Sequence, residues 1–225
     1  MRILHCSDLH GNKRWFDWLV DGAANFDLVC VTGDFLDLLD LKRIDAQLNM
    51  VAFALDRITV PVALCSGNND SFNGPPTPPS LLHATWLRDL RGPGRWIDGD
   101  RFELSGKRFR CVGWNAPLPS AELDEVWLYH APPARSITAI DQLGNDSGDE
   151  MLREMCQANK GPALVLSGHQ HEPREWSCRV GRSWCLNPGY NAGAVIPNHI
   201  ILDLESRHAE LRVGGRPAGV AHLGV

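Results

Sequence analysis

Three short, largely apolar runs, Arg2–Cys6, Leu28–Thr32 and Val60–Cys65, each stop at a turn carrying an acid, an amide or a histidine. Runs of this length bounded by polar turns read as buried strands. Between them, Asn12–Ala24 and Lys42–Arg57 are amphipathic and read as helices. The first third is therefore expected to form strand–helix–strand units, a sheet covered by helices. Further along, the pattern changes. Residues 101–112 alternate around Gly106 and predict a hairpin. Val126–Tyr129 predicts a strand ending at His130, Asp149–Ala158 a helix, and Ala163–Ser167 a strand ending at Gly168-His169-Gln170-His171. Two more hairpins are expected around Gly181 and Ser206, so the reading is mixed α/β layers and not a purely parallel sheet. No internal repeat or linker divides the 225 residues, and 44% apolar content supplies a core for one domain over 1–225.

Composition narrows the function classes. A formal charge of -5 provides no general basic surface, so no strong nucleic-acid binding is expected. The seven cysteines are odd in number, evenly spread and without a CxxC pair, which argues for reduced thiols in a cytoplasmic protein. No apolar stretch is long enough to span a bilayer and no signal-like segment opens the chain, so a soluble protein without a membrane partner is expected. The run Gly74-Pro75-Pro76-Thr77-Pro78-Pro79 excludes regular structure. It reads either as a wall of a site or as a stiff surface loop.

The polar turns carry the chemistry. In order they are Asp8-Leu9-His10, Gly33-Asp34, Gly67-Asn68-Asn69-Asp70, His130 and Gly168-His169-Gln170-His171. Carboxylate oxygen, imidazole nitrogen and amide oxygen suit two hard-to-borderline divalent cations. In open α/β sheets ligands gather at the carboxyl ends of strands, where all five motifs fall. Asp8/His10 and His169/His171 are i, i+2 pairs, able to face one side of an extended chain. A lone Gly-Asp means nothing by itself; five such motifs at consecutive strand ends are specific. His5, His83, His199, His208 and His222 stand outside this order and read as structural.

This ordered set resembles the DxH…GD…GN…H…GHxH pattern of the calcineurin-like metallophosphoesterase superfamily, over positions 8 to 171. The resemblance implies a four-layer α/β/β/α sandwich with mixed sheets and a two-metal site between the sheets. Carried over by position, Asp8, His10 and His171 resemble ligands of one metal, and Asn68, His130 and His169 those of the other. Asp34 resembles the bridge between them. His130-Ala131-Pro132-Pro133 and Asn187-Pro188-Gly189 are also similar to family segments, the latter to those of its small bacterial phosphodiesterases. The implied cofactors are two divalent ions, manganese first, with iron, zinc, nickel or cobalt as alternatives. Such a pair bridges a hydroxide and clamps a phosphoryl oxygen. Two dications set against Asp8, Asp34 and a hydroxide leave net positive charge, which attracts a phosphodiester monoanion.

One position departs from the pattern. Most members have histidine where this chain has Asn69, on the side of the leaving group. An amide donates a hydrogen bond but no proton, and general acid catalysis is typically worth about 10² to 10⁴ in rate. Some small phosphodiesterases of the family also lack this histidine and still hydrolyse diesters. The expectation is therefore a phosphodiesterase for a small or nucleotide-type diester, with a catalytically weak protein-binding scaffold as the alternative. Asp37 and Asp70 read as outer carboxylates that orient ligands, or equally as helix-start and turn residues. Asn12 resembles a family substrate contact. Trp114 and Asn115 end a strand on the site's side, where Trp114 stacks a base or packs the core. Arg135 meets a phosphate or lies in solvent.

Overall fold

The computed structural model describes residues 1–71 and 79–224, and for 79–83 the backbone alone. The expected proline-rich loop from Gly74 and the side chain of His83 lie outside the described residues. In chain order the elements are β1 (Arg2–Cys6), α1 (Lys13–Ala23), β2 (Leu28–Thr32), a 3-10 turn at Leu38–Arg43 running into α2 (Ile44–Asp56), and β3 (Val62–Cys65). Short 3-10 segments at Asn68–Asp70 and Pro79–Leu90 precede β4 (Arg95–Trp96), β5 (Arg101–Leu104), β6 (Lys107–Val112) and β7 (Glu125–Tyr129). The chain continues through α3 (Glu150–Gln157), β8 (Leu164–Leu166), β9 (Ser177–Val180), β10 (Ser183–Leu186), β11 (His199–Asp203), β12 (His208–Val213) and β13 (Arg216–His222).

Among the described residues these strands make two mixed sheets. One has the order β13-β12-β11-β1-β2-β3-β4, the other β5-β6-β7-β8-β10-β9. β1, β2, β3 and β4 run parallel, as do β6, β7, β8 and β10, while the outer strands are antiparallel. The strand period of two decides which side chain enters which layer. In β2, Val29 and Val31 pack with Leu4, Trp15 and Leu55 under α1 and α2, whereas Leu28 and Cys30 face the second sheet. In β7, Val126 and Leu128 face the first sheet, while Trp127 and Tyr129 pack with Leu152 and Cys156 of α3. The layers are thus α1/α2, sheet, sheet, α3: the expected α/β/β/α sandwich. Between the sheets the small residues Cys30, Ala63, Cys65 and Cys111 pack with larger ones such as Phe109, Leu128 and Leu166.

Some boundaries differ from the sequence reading for local reasons. β3 begins at Val62 because Pro61 has no N–H to enter the ladder, and its carbonyl instead accepts from Val29. β13 is an additional strand whose Pro217 and Gly219 obscure it in sequence. It is tolerated because β13 is an edge strand, and its pairing with β12 slips at Leu211/Arg212. No helix of the described residues is long and apolar enough to cross a membrane.

Leu128, 0% exposed between the sheets, tests this layering. Leu128→Ala is expected to destabilise the fold by about 2–5 kcal/mol, read by denaturant unfolding. Leu123→Ala, at a side chain 66% exposed, is expected to change stability by no more than about 0.5 kcal/mol.

Candidate metal centre

The carboxyl ends of β1, β2, β3, β7 and β8 converge, and backbone bonds join their loops. Asp8 N donates to Gly33 O (3.0 Å), His10 N to Asp34 O (2.9 Å), and Gly168 N to His130 O (2.9 Å). The approach leaves no room for a side chain at Gly33, Gly67 or Gly168, and a Cβ on Gly67 would collide with Asp34. A Cβ on Gly33, whose φ is +86°, would lie 2.5 Å from His130 Nδ1, and one on Gly168 would collide with Ser7 Oγ and Asp8 Oδ2. Four non-glycine residues here are left-handed: Asp8 (φ 56°), His10 (φ 42°), Asp34 (φ 54°) and His169 (φ 66°). Each such conformation costs of order 1–3 kcal/mol and persists where the surroundings impose it, as at ligand-binding sites.

The donor atoms fall into two groups that share Asp34. In the first, His10 Nε2 lies 3.2 Å from His171 Nε2 and 3.8 Å from Asp8 Oδ1, and His171 Nε2 lies 3.3 Å from that same oxygen. In the second, Asn68 Oδ1 is 3.1 Å from His130 Nε2 and 2.7 Å from His169 Nδ1. Asp34 turns one oxygen to each: Oδ2 is 3.8 Å from His10 Nε2, Oδ1 3.4 Å from His130 Nε2. One donor atom each from Asp8, His10, Asp34 and His171 lies within 4.8 Å of the others, a group able to hold a metal ion. Asp8 Oδ1 is buried and accepts no hydrogen bond. An orphaned carboxylate oxygen surrounded by imidazole nitrogens fits a cation there.

Charge on these groups is strongly shaped by their surroundings. Burial works against an ionised Asp34, yet His130 and His10 outweigh it and hold its carboxyl well below the usual carboxylate range. Asp8 is lowered as well, burial being overcome by His171 and His130. Burial likewise opposes a charged His130, but Asp34 and then Asp8 lift it to about 9. His169 moves the other way, to about 4, through burial and the charge of His130. His130 Nδ1 meets Thr32 O at 2.6 Å, which directs Nε2 at the site.

Supporting residues divide clearly. Asp70 accepts from the backbone N–H groups of Asp34 (2.8 Å), Phe35 (2.9 Å), Leu36 (3.3 Å) and Gly67 (2.7 Å), and so locks two ligand loops to each other. Asp37 instead caps the 3-10 turn through Leu39 N (2.9 Å), and Asn12 caps α1 through Arg14 N (3.2 Å). Asn69 gives its backbone N–H to Asp34 Oδ1 (2.7 Å) and its side-chain amide to Asp34 Oδ2 (2.6 Å). Trp114 lies against the rings of His130 and His169, at 5.6 and 5.1 Å. Asn115 is exposed, and Arg135 is paired with Glu150 in solvent.

Three contributors escape sequence reasoning. Buried Asn187 donates to the carbonyls of Thr138 (3.1 Å), Gly168 (3.0 Å) and Gln170 (2.9 Å), fixing the loop of His169 and His171. Asp98 takes Ser66 N (2.8 Å) and Ser66 Oγ (2.6 Å), and Ser66 Oγ accepts from Trp114 N (2.9 Å). The Tyr190 ring sits 4.5 Å from His171 and 5.1 Å from His10. Only Asn187 carried a local signal, its place in Asn187-Pro188-Gly189.

With this geometry in view, the family model of the calcineurin-like phosphoesterases matches residues 1–173. Among solved structures, an archaeal phosphodiesterase aligns with TM-score 0.57 at 20% identity, covering 94% of this chain and 99% of its own. Yfce, a phosphoesterase from E. coli, aligns with TM-score 0.52 at 14% identity over 100% of both chains. Purple acid phosphatase PPD1 from yellow lupin seeds gives 0.57 at 10% identity, covering 98% of this chain and 53% of that one. At these identities the likeness establishes a common fold. No curated protein sequence matches significantly.

Asp34 is the group that charges His130, and NMR titration of the metal-free protein tests this. The His130 imidazole is expected to titrate near 9, far above the ordinary value of 6.5. Asp34→Asn removes the largest raising influence and leaves only Asp8 and Thr32 O against burial, so the midpoint should fall.

Proposed function

This chain belongs to the calcineurin-like phosphoesterase family, and from that premise we propose that it acts, as one domain over residues 1–225, as a two-metal phosphodiesterase for a small or nucleotide-type diester. Membership makes it a hydrolase of phosphoesters that works with divalent metals. The observation that carries the finer reading is Asp34, which turns one carboxylate oxygen to each of two donor groups. In this proposal Asp8, His10 and His171 hold one ion, Asn68, His130 and His169 the other, and Asp34 both. Nitrogen and oxygen donors without thiolate suit manganese, and iron, zinc, nickel or cobalt after it. When bound, such a pair supplies an acidified water and an electrophilic seat for a phosphoryl oxygen.

The remaining roles fall to the chain itself. Asn69 holds the Asp34 carboxylate at both oxygens, so it acts first as a positioning residue. Its amide has a second N–H, a hydrogen-bond donor for a departing oxygen but not an acid. A leaving group therefore departs without a proton from position 69, which favours esters of acidic alcohols. Trp114 and Tyr190 place aromatic rings against the donors His130 and His171. The archaeal phosphodiesterase among the structural neighbours supports a diester substrate. A reducing, cytoplasmic setting belongs to the same proposal and suits the buried thiols of Cys6, Cys30, Cys65 and Cys111.

Loaded with Mn²⁺, the protein is expected to hydrolyse bis(p-nitrophenyl) phosphate, and Asp34→Ala or His171→Ala to abolish that metal-dependent rate. No turnover of several phosphoesters with Mn²⁺, Ni²⁺, Co²⁺ or Zn²⁺ would contradict it. Asn69→His removes the amide's bond to Asp34 Oδ2 for every substrate, so the ratio is the readout: turnover of alkyl diesters relative to nitrophenyl diesters should rise, by up to the factor of about 10² or more that a general acid provides. An equal effect on both would mean that position 69 does not serve the leaving group.

A further inference from the structure

The cysteines fall into two sets. Cys6, Cys30, Cys65 and Cys111 are fully buried, and burial pushes their thiols up. Thiols of that kind are inert. The other three gather on the face of the second sheet that α3 covers. Cys178 of β9 and Cys185 of β10 are antiparallel partners, and both pack with Cys156 of α3.

The pairing has a covalent consequence. Directly opposed residues point to the same side of a sheet, with Cβ atoms about 4.5–5.5 Å apart. A disulfide needs about 3.5–4.5 Å between them. β9 is the edge of its sheet and is bonded to β10 alone among the described strands. It can therefore close the difference without breaking a second ladder.

The two partners also differ in a way that suits them to unequal roles. Cys178 is partly exposed, whereas Cys185 is buried. Thr138 Oγ1 lies 3.6 Å from the Cys178 sulfur, and Ser136 Oγ lies 2.8 Å from Thr138 Oγ1. Cys185 first, then Thr138 and Ser136, hold the Cys178 thiol down to about 6 against burial. Cys185 moves the other way, pushed up by Cys156, Cys178 and burial. A thiolate thus stands beside a protonated thiol, as at redox cysteines poised next to a resolving one.

We propose that Cys178 is an oxidative modification site and that Cys185 resolves it, the oxidant being a hydroperoxide such as hydrogen peroxide. The Cys178 thiolate attacks one peroxide oxygen. The O–O bond breaks, Cys178 becomes a sulfenic acid, and hydroxide leaves with the electron pair. Cys185 then gives up its proton and attacks the Cys178 sulfur. The S–S bond forms, the S–O bond breaks, and water leaves. The two thiols have supplied the two electrons that reduce the peroxide, and a dithiol reverses the change by exchange.

The test treats the full-length, reduced protein with stoichiometric hydrogen peroxide near neutral pH, with a chelator present to suppress metal-catalysed oxidation. The expected result is the loss of two free thiols and of two hydrogen atoms in mass, with peptide mapping linking Cys178 to Cys185 and dithiothreitol restoring both. Cys156→Ala should still form the bond. Cys185→Ala should stop at a sulfenic acid that dimedone traps at Cys178, and Cys178→Ala should lose no thiol at that dose. An unchanged thiol count in the wild-type protein overturns the inference. So does a bond between any other pair, or oxidation of Cys178 with no link to Cys185.

Discussion

The Asp34 carboxylate is 1% exposed, with one oxygen toward His130 at 3.4 Å and the other toward His10 at 3.8 Å. An acid shut away from water stays ionised only if positive charge and hydrogen-bond donors replace its solvent. The chain supplies the donors from Asn69, at both oxygens, and positive charge from His130, which Asp34 itself helps to protonate. Asp8 and Asp70 are also buried in the same region, so three carboxyl groups share one desolvated space. Dications are the chemical species that would relieve all three at once, and the family to which the chain belongs uses them.

That space lies where the carboxyl ends of strands from both sheets come together. At the end of β7, His130 reaches across to Thr32 O at the end of β2 (2.6 Å). On the other side, β8 delivers Gly168 against Ser7 and Asp8 so tightly that a methyl group would not fit. Left-handed backbone at Asp8, His10, Asp34 and His169 is the conformational consequence: each strand must turn at once to present its side chain. Asp70 links two of these turns through backbone N–H groups and carries the demand for order away from the ligands themselves.

The sequence was most legible where chemistry and boundary coincide. β1 and β2 are matched to the residue, Arg2–Cys6 and Leu28–Thr32, because each is an apolar run cut off by a motif that cannot remain in a strand. β13 was hidden because an edge strand packs few side chains and needs no apolar alternation; its sequence reads as a turn. The same logic separates Asp70 from Asp37. Both are acids near a ligand, but only the fold shows that one clasps the loops of Asp34 and Gly67 while the other caps a turn. Asn187 and Asp98 act on loops distant in sequence, through carbonyls and hydroxyls that carry no residue-type signature. Tyr190 was hidden for a related reason, since an aromatic after Pro188-Gly189 looks like any packed ring until His10 and His171 are placed beside it.

The central claim is that one carboxylate joins two metal sites, and the direct measurement is a crystal structure of the manganese-loaded protein with anomalous scattering from the ions. Two peaks about 3.5–4 Å apart are expected, with Asp34 touching both, Asp8, His10 and His171 on one, and Asn68, His130 and His169 on the other. A single ion, or a pair in which Asp34 touches only one member, would contradict the account.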